Sequence, residues 1–68
     1  MKNCIGKQMK ELRKDMGLTQ QQVADKLNIS RVNYPRYETD VVCPDFDTLI
    51  DIADFFNVSL DFLFNRRI

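Results

Sequence analysis

Residues 18–38 read LTQQQVADKLNISRVNYPRYE, and this stretch predicts two short helices joined by a tight turn. Thr19, followed three residues later by Gln22, forms a capping box that satisfies two backbone donors at the start of the first helix. Asn28 is expected to end that helix, because asparagine is the commonest replacement for glycine in the left-handed conformation that a helix exit requires. Ala24 supplies a small side chain where the two helices would have to cross.

The second helix of the pair is expected to begin after Ser30, which can act as its N-cap, and to extend from about Arg31 to Glu38. Tyr34 and Tyr37 lie three residues apart on one face of this helix, so both are expected to point inward. The outward positions are then Arg31, Val32, Asn33, Pro35 and Arg36. Two arginines on an exposed face indicate a reading surface, and the layout is that of a DNA-binding helix-turn-helix.

The whole pattern resembles the helix-turn-helix family of phage repressors and Cro-like proteins, often called the XRE family. The residues that carry the resemblance are Thr19-Gln20, Ala24, Ser30-Arg31, Arg36-Tyr37-Glu38, Pro44, Thr48-Leu49 and Ile52-Ala53-Asp54-Phe55-Phe56-Asn57-Val58-Ser59-Leu60-Asp61. Their order and spacing together are hard to obtain by accident. The resemblance implies an all-α, compact five-helix bundle of the lambda-repressor-like type, with the helix-turn-helix at about residues 19–38 formed by helices 2 and 3. It also implies a sequence-specific regulator of transcription, a repressor that binds double-stranded DNA as a homodimer on a two-fold operator.

The resemblance assigns roles to individual residues. The positions that contact DNA phosphate, where helix-start donors favour an anion, are matched by Thr19, Gln20 and Ser30. The base-reading positions are matched by Arg31, Val32, Asn33 and Arg36. An arginine can donate two hydrogen bonds to guanine O6 and N7 in the major groove, and Val32 could contact a thymine methyl group. Asn33 could contact either a phosphate or a base edge.

Two further sets of residues follow from the resemblance. In the family, a buried arginine of helix 1 pairs with the glutamate that ends the reading helix, and the matching positions are Arg13 and Glu38. We expect this structural ion pair to hold the reading helix against helix 1, the alternative being that Arg13 faces DNA. Dimer contacts in relatives come from the last helices, where this chain has Leu60, Phe62 and Phe64. Because Phe62, Leu63 and Phe64 are consecutive on a helix, at least one should be exposed in a monomer.

The rest of the chain is expected to build the scaffold. Helix 1 is predicted from about Ile5 to Met16 and is closed by Gly17. Its core stripe is predicted to be Ile5, Met9, Leu12 and Met16. Helix 4, capped by Asp45, is predicted to turn inward Phe46, Leu49, Ile52, Ala53 and Phe56. Asn57 repeats the exit role of Asn28, and Ser59 is expected to cap a final short helix.

Composition limits the class of protein. The 68 residues, 44% of them apolar, suffice for one small core, so residues 1–68 are expected to form a single domain. The chain has no histidine, and Cys4 and Cys43 have neither zinc-ligand spacing nor an apolar leader before them. We therefore expect reduced thiols in a cytoplasmic protein, with no metal, no cofactor and no enzymatic activity. No apolar run approaches the length needed to span a bilayer, so no membrane role is expected.

The charges are segregated along the chain although the net charge is zero. Residues 1–36 carry eight Lys and Arg against three acidic residues, a net charge of +5, and residues 37–68 carry two against seven, a net charge of −5. The basic half contains the predicted reading surface. Neutralisation of phosphates supplies most of the sequence-independent affinity for DNA, so this distribution favours a nucleic-acid partner.

Two departures from the family pattern keep a second interpretation open. Pro35 lies about five residues into the reading helix, where it removes one backbone hydrogen bond and should bend or loosen the helix. After Glu38, where relatives often have an Asn-Gly turn and basic residues, this chain has an apolar loop with Val41 and Val42. These valines could fold inward or form a patch for a protein partner. The alternative function is therefore a helix-turn-helix fold reused as a protein-interaction module or antirepressor.

Overall fold

The computed structural model describes residues 4–64, and these fold into five α-helices with no strand in that range. The helices are α1 (Gly6–Asp15), α2 (Gln20–Leu27), α3 (Asn33–Glu38), α4 (Phe46–Phe56) and α5 (Leu60–Leu63). The all-α, five-helix prediction is confirmed, and α2 and α3 form the helix-turn-helix.

Local capping chemistry sets the start of α2 as the sequence predicts. The Thr19 hydroxyl accepts a hydrogen bond from the Gln22 backbone N–H at 3.1 Å, and the Gln22 side chain accepts one from the Thr19 N–H at 2.8 Å. Asn28 ends the helix in the left-handed conformation, with φ of 59°. Both ends of the helix are therefore specified by residues within or next to it.

The same local chemistry delimits α4 and α5. Asp45 accepts a hydrogen bond from the Thr48 backbone N–H at 2.9 Å, and Ser59 accepts one from the Phe62 N–H at 3.0 Å. Asn57 ends α4 with φ of 58°. All three predicted helix signals are confirmed.

One core joins all five helices. Its buried members are Ile5, Met9, Val23, Ala24, Tyr34, Ile52, Ala53, Phe56 and Leu63. Tyr34 is the largest fully buried side chain, and it fixes the inner side of α3. Because burial of apolar surface is the main favourable term in folding, the position of α3 is set by this core.

The start of α1 touches the end of α3 at Gly6. A Cβ atom at this position would lie 2.5 Å from the carbonyl oxygens of both Tyr37 and Glu38. The Gly6 backbone N–H donates to Asp40 Oδ1 at 3.0 Å. Only glycine allows this close approach, so α1 supports the C-terminal end of α3 directly.

Two residues predicted to be in the core lie at the surface instead. Met16 is 50% exposed because α1 ends at Asp15, which leaves Met16 beyond the last turn that packs against the core. Phe46 is 65% exposed because it is the first residue of α4. Helical side chains point back toward the N-terminus, so the Phe46 ring projects off the end of the helix.

The prediction of two reduced thiols is also wrong for this structure. Cys4 and Cys43, which are 39 positions apart in sequence, form a disulfide with Cα atoms 5.8 Å apart. The bond links Cys4, two residues before the start of α1, to the loop that follows α3. Sequence spacing gives no local signal for such a pair, because the fold brings the two residues together.

Candidate nucleic-acid interface

The residues predicted to read DNA lie at the surface around the start of α3. Arg31, Val32, Asn33 and Arg36 are all exposed, and we call this set the outer face. On the opposite side, Tyr34 is fully buried and Tyr37 is half-buried. The inward pair of tyrosines therefore orients the outer face toward solvent, as their spacing predicts.

The turn before α3 is closed by Ser30. Its hydroxyl accepts a hydrogen bond from the Asn33 N–H at 3.0 Å, and its carbonyl accepts one from the Tyr34 N–H, also at 3.0 Å. Ser30 thus acts as an N-cap for the segment that carries the outer face.

Pro35 shortens the regular helix. The sequence predicts a start at about Arg31, but α3 begins at Asn33. Pro35 has no N–H to donate to the Arg31 carbonyl, so the repeating hydrogen-bond pattern begins only after that missing bond. Val32 still has helical dihedral angles, φ −77° and ψ −39°. Arg31 and Val32 are therefore presented from a helical turn that leads into α3.

The C-terminal end of α3 is closed by the residues after it. The Thr39 hydroxyl donates to the Pro35 carbonyl at 3.2 Å. The backbone N–H groups of Val41 and Val42 both donate to the Arg36 carbonyl, at 3.0 and 3.3 Å. These bonds satisfy carbonyls that a six-residue helix would otherwise leave without partners.

Arg13 and Glu38 join α1 to α3 through a buried ion pair. Arg13 Nε lies 2.7 Å from Glu38 Oε2, and Arg13 Nη2 lies 3.2 Å from Glu38 Oε1. The third guanidinium nitrogen, Nη1, donates to the Leu18 carbonyl at 3.0 Å. The two side chains are 12% and 1% exposed. Arg13 is therefore committed to the interior, and the alternative that it faces DNA does not hold in this structure.

Gln20 is part of the same cluster. Its amide nitrogen donates to Glu38 Oε1 at 3.0 Å, so the start of α2 is also tied to the end of α3. The family resemblance predicts that Gln20 contacts DNA phosphate, but it does not predict this bond to Glu38. A polar side chain at a helix start carries no signal for a partner 18 positions away.

The cluster alters the acid–base properties of its members. Burial raises the pKa of the Glu38 carboxyl, but the hydrogen bonds from its neighbours, led by Arg13 and Gln20, and the charge of Arg13 together outweigh burial, so the net pKa is below the usual range. The pKa of Arg13 is raised, chiefly by its hydrogen bond to Glu38. Burial raises the pKa of the Tyr34 phenol, and the neighbouring carboxylate raises it further. All three groups therefore keep their ordinary charge states at neutral pH.

Comparison with known proteins identifies the fold family. A family model described as helix-turn-helix matches residues 9–63. The chain belongs to the helix-turn-helix (XRE) family. This family is not one of enzymes.

Several curated proteins resemble this XRE-family chain. The HTH-type transcriptional regulator ImmR of Bacillus subtilis (strain 168) is 44% identical over 62 residues, which cover 91% of this chain and 49% of ImmR. The SPbeta prophage-derived uncharacterized HTH-type transcriptional regulator YonR of the same strain is 40% identical over 59 residues, covering 87% of this chain and 55% of YonR. The cryptic phage CTXphi transcriptional repressor RstR of Vibrio cholerae serotype O1 is 36% identical over 62 residues, covering 91% and 55%. The chain spans about half the length of these relatives.

Arg31 is only loosely held in this XRE-family protein. Its Nε lies 3.9 Å from Asp25 Oδ1, and both side chains are more than half exposed. Exposed pairs of this kind contribute about 0–1 kcal/mol, so the guanidinium can leave Asp25 at little cost. The geometry is suited to a side chain that exchanges one anionic partner for another.

The last helix exposes two aromatic rings. Phe62 is 47% exposed and Phe64 is also exposed, whereas Leu60 is half-buried and Leu63 fully buried. The Phe62 carbonyl accepts a hydrogen bond from the Gln8 side chain at 3.2 Å, which holds α5 beside α1. As predicted, the consecutive apolar residues of α5 cannot all be buried.

The loop after α3 is apolar at the surface. Val41 is 68% exposed and Val42 is also exposed, so neither folds inward. Asp40 was missed from the sequence, although its carboxylate caps the Gly6 N–H. Its position two residues after the end of α3 was the available sequence signal, because aspartate is one of the few residues that tolerate a φ of 63° there.

No group of three or more metal-ligating side chains converges within residues 4–64. None of the five helices is long and apolar enough to cross a membrane.

Proposed function

We propose that this protein is a sequence-specific regulator of transcription that binds double-stranded DNA in the cytoplasm and represses as a homodimer on a two-fold operator. The observation that carries the proposal is the outer face, where Arg31, Val32, Asn33 and Arg36 stand exposed on a segment anchored from behind by Tyr34 and Glu38. The names of two relatives, a transcriptional regulator and a phage repressor, support it.

In the proposed mechanism, side chains of the outer face contact the DNA bases. Arg31 and Arg36 would donate paired hydrogen bonds to guanine in the major groove, and Val32 would contact a thymine methyl group. Asn33 would reach a phosphate or a base edge. Because the ion pair of Arg31 with Asp25 is loose and exposed, little free energy is needed to break it.

The proposed phosphate contacts lie at the start of α2 and in the turn before α3. Thr19, Gln20 and Ser30 surround backbone donors at these places, and a helix start favours an anion. The Gln20 side chain would either keep its bond to Glu38 and leave the phosphate to its backbone N–H, or exchange partners on binding. The net charge of +5 on residues 1–36 would attract the duplex.

The proposed dimer uses α5. Phe62 and Phe64 are exposed and Leu60 is half-buried at this end of the molecule, and aromatic residues are enriched in protein interfaces. Two copies related by a two-fold axis would place two outer faces about one turn of DNA apart, which doubles the number of base pairs read.

The test is a selection of bound duplexes from a random pool at low salt, followed by fluorescence anisotropy with the selected sequence. Arg31→Ala and Arg36→Ala should each weaken binding roughly 5- to 150-fold, the equivalent of about 1–3 kcal/mol, and relax the preference at one base pair per half-site. Lys14→Ala is the matched control, since it removes one exposed positive charge from α1 and should weaken all sequences about equally. Unchanged affinity in both arginine variants would refute the assigned readers.

A second candidate function rests on the exposed loop. Val41 and Val42 are both at the surface, and residues 37–68 carry a net charge of −5. A protein-interaction module or antirepressor would use this apolar patch for a protein partner. That function would be favoured if no duplex binds at low salt and if Val41→Ser with Val42→Ser abolishes binding of a captured protein.

A further inference from the structure

Two links connect the start of α1 to the loop that follows α3. One is the Cys4–Cys43 disulfide, and the other is the hydrogen bond from the Gly6 N–H to Asp40. They lie side by side, because Cys4 and Gly6 are two residues apart and Asp40 and Cys43 are three residues apart. The disulfide therefore reinforces a contact that the fold already makes, and we call this disulfide the clasp.

The clasp is placed to have a large effect on stability. It joins residues separated by 39 positions, so it removes a long loop from the conformational freedom of the unfolded chain. Chain-entropy arguments for a loop of this length give an effect on the unfolding equilibrium constant on the order of several hundredfold. Among residues 4–64, the core it supports has nine buried apolar side chains, and small cores of this kind often depend on such an added constraint.

The clasp is also open to solution. Cys43 is exposed and Cys4 is half-buried, so small thiols and disulfides can reach the bond. Exposed disulfides are the ones that exchange readily, whereas structural ones are usually shielded. A protein that acts on DNA in the cytoplasm, the proposed function on which this step rests, is surrounded by reducing thiols, and disulfides there are usually transient and redox-sensing.

We propose that Cys4 and Cys43 form a reversible redox switch that sets the folded, DNA-binding fraction of the protein. For oxidation, the thiolate of one cysteine attacks a low-molecular-weight disulfide such as oxidised glutathione, forming a mixed disulfide and releasing one glutathione thiolate. The second cysteine thiolate attacks the protein sulfur of that mixed disulfide and releases the second glutathione. The two protein thiols lose two electrons and two protons in total, and oxidised glutathione gains them. Excess reduced glutathione reverses both steps.

The position of the clasp links its redox state to the outer face. Reduction leaves α3 held by the Arg13–Glu38 ion pair and by the Gly6–Asp40 hydrogen bond, but it frees Cys43 and its neighbours in the loop from the segment that precedes α1. The folded fraction then falls, and the apparent affinity for DNA falls with it, since only the folded protein presents the outer face.

The first measurement needs no DNA. Urea unfolding of the full chain, followed by far-UV circular dichroism, is compared in oxidised glutathione and in excess reduced glutathione. We expect the unfolding equilibrium constant to rise by about two to three orders of magnitude on reduction. The control is Cys4→Ser with Cys43→Ser, which should resemble the reduced protein under both conditions. Coincident curves for the oxidised and reduced native chain would overturn the proposal.

Mass spectrometry without reductant identifies the bond itself. An intramolecular clasp gives a monomer that is lighter by two hydrogens, with one peptide that contains both cysteines. Free thiols after equilibration with oxidised glutathione, or a disulfide between two copies, would overturn the proposal.

The last arm measures binding of a selected duplex by anisotropy, at a temperature where the reduced protein is nine-tenths unfolded and the oxidised protein is folded. Reduction should raise the apparent Kd at least tenfold, and the double-serine variant should show no response to glutathione. Equal affinities in the two redox states would overturn the link to DNA. If neither state binds any duplex while the unfolding curves still differ, the proposed function fails and the stability switch stands.

Discussion

The buried ion pair between α1 and α3 yields a prediction that separates the cost of an unpaired charge from the value of the pair. Arg13→Met leaves the Glu38 carboxylate, 1% exposed, with only the Gln20 amide as a donor among residues 4–64. Removing one partner of a buried pair costs about 3–5 kcal/mol. The carboxyl can escape by binding a proton, which from a pKa of about 4.3 costs about 4 kcal/mol at pH 7. We therefore expect a loss of about 3–4 kcal/mol, out of a total of about 3–10 kcal/mol for a chain of this length.

The native protein and Arg13→Met should differ in how their stability changes with pH. In the native protein the pKa of Glu38 is lowered, so its stabilisation is present above a pH of about 4.3 and is lost as the pH falls through the folded-state pKa. In Arg13→Met, burial dominates and raises the pKa of Glu38, so the contribution of this group to stability is fully present below a pH of about 4.3 and is lost as the pH rises through the raised value. Between pH 4.5 and 7 the native protein should show no loss from this group, whereas the variant should lose stability steadily.

The assay is urea unfolding at a series of pH values, with Arg13→Met and Glu38→Met combined as the control. The double variant removes both charges, so it should lie within about 1–2 kcal/mol of the native chain and should lack the pH dependence of the single variant. If the single and double variants lose equal free energy, or if the single variant has no pH dependence above pH 4.5, the ion pair does not act as described.

Three further predictions concern backbone contacts and helix capping. Gly6→Ala should lower the free energy of unfolding by about 2 kcal/mol or more, because its Cβ would meet two carbonyl oxygens of α3, and an unchanged melting temperature would contradict that contact. Pro35→Ala restores an N–H that can donate to the Arg31 carbonyl, so this amide should be protected from hydrogen exchange and stability should rise by about 1 kcal/mol or more. Rapid exchange at residue 35 would show that the turn before α3 is not helical. Ser59→Ala removes the acceptor for the Phe62 N–H and should cost about 1 kcal/mol in a thermal melt, with Ser59→Asp as the control that retains a cap.

Features that depend on adjacent residues were predictable from the sequence. Thr19 with Gln22, and the asparagines Asn28 and Asn57, set helix ends through contacts or backbone angles within a few residues, so the tertiary fold could not change them. The exposure of Arg31 and the burial of Tyr34 agree with helical periodicity because the apolar face of α3 packs against the core. The roles of the outer-face residues on DNA stay predictions.

Features that depend on where one helix meets another were not predictable. Met16 and Phe46 have the right spacing for the core, but each lies at a helix end, beyond the turns that pack against the core. The Cys4–Cys43 link and the Gln20–Glu38 bond join residues far apart in sequence, and composition gives no reason to pair them. The sequence shows that Pro35 lacks a backbone hydrogen-bond donor. Its effect in the structure is that α3 begins only at Asn33, and this effect depends on the adjacent turn at Ser30.

The four residues of the outer face are exposed to solvent, and this has a consequence for how such a protein can evolve. Exchanges at solvent-exposed positions usually alter stability by no more than about 0.5 kcal/mol, whereas each member of the Arg13–Glu38 cluster is constrained by several neighbours. If the outer face reads DNA as proposed, the preference for one DNA sequence can change during evolution while the scaffold stays the same. Related proteins with this scaffold could then come to bind different DNA sites through a few substitutions on the outer face, and each intermediate would still fold.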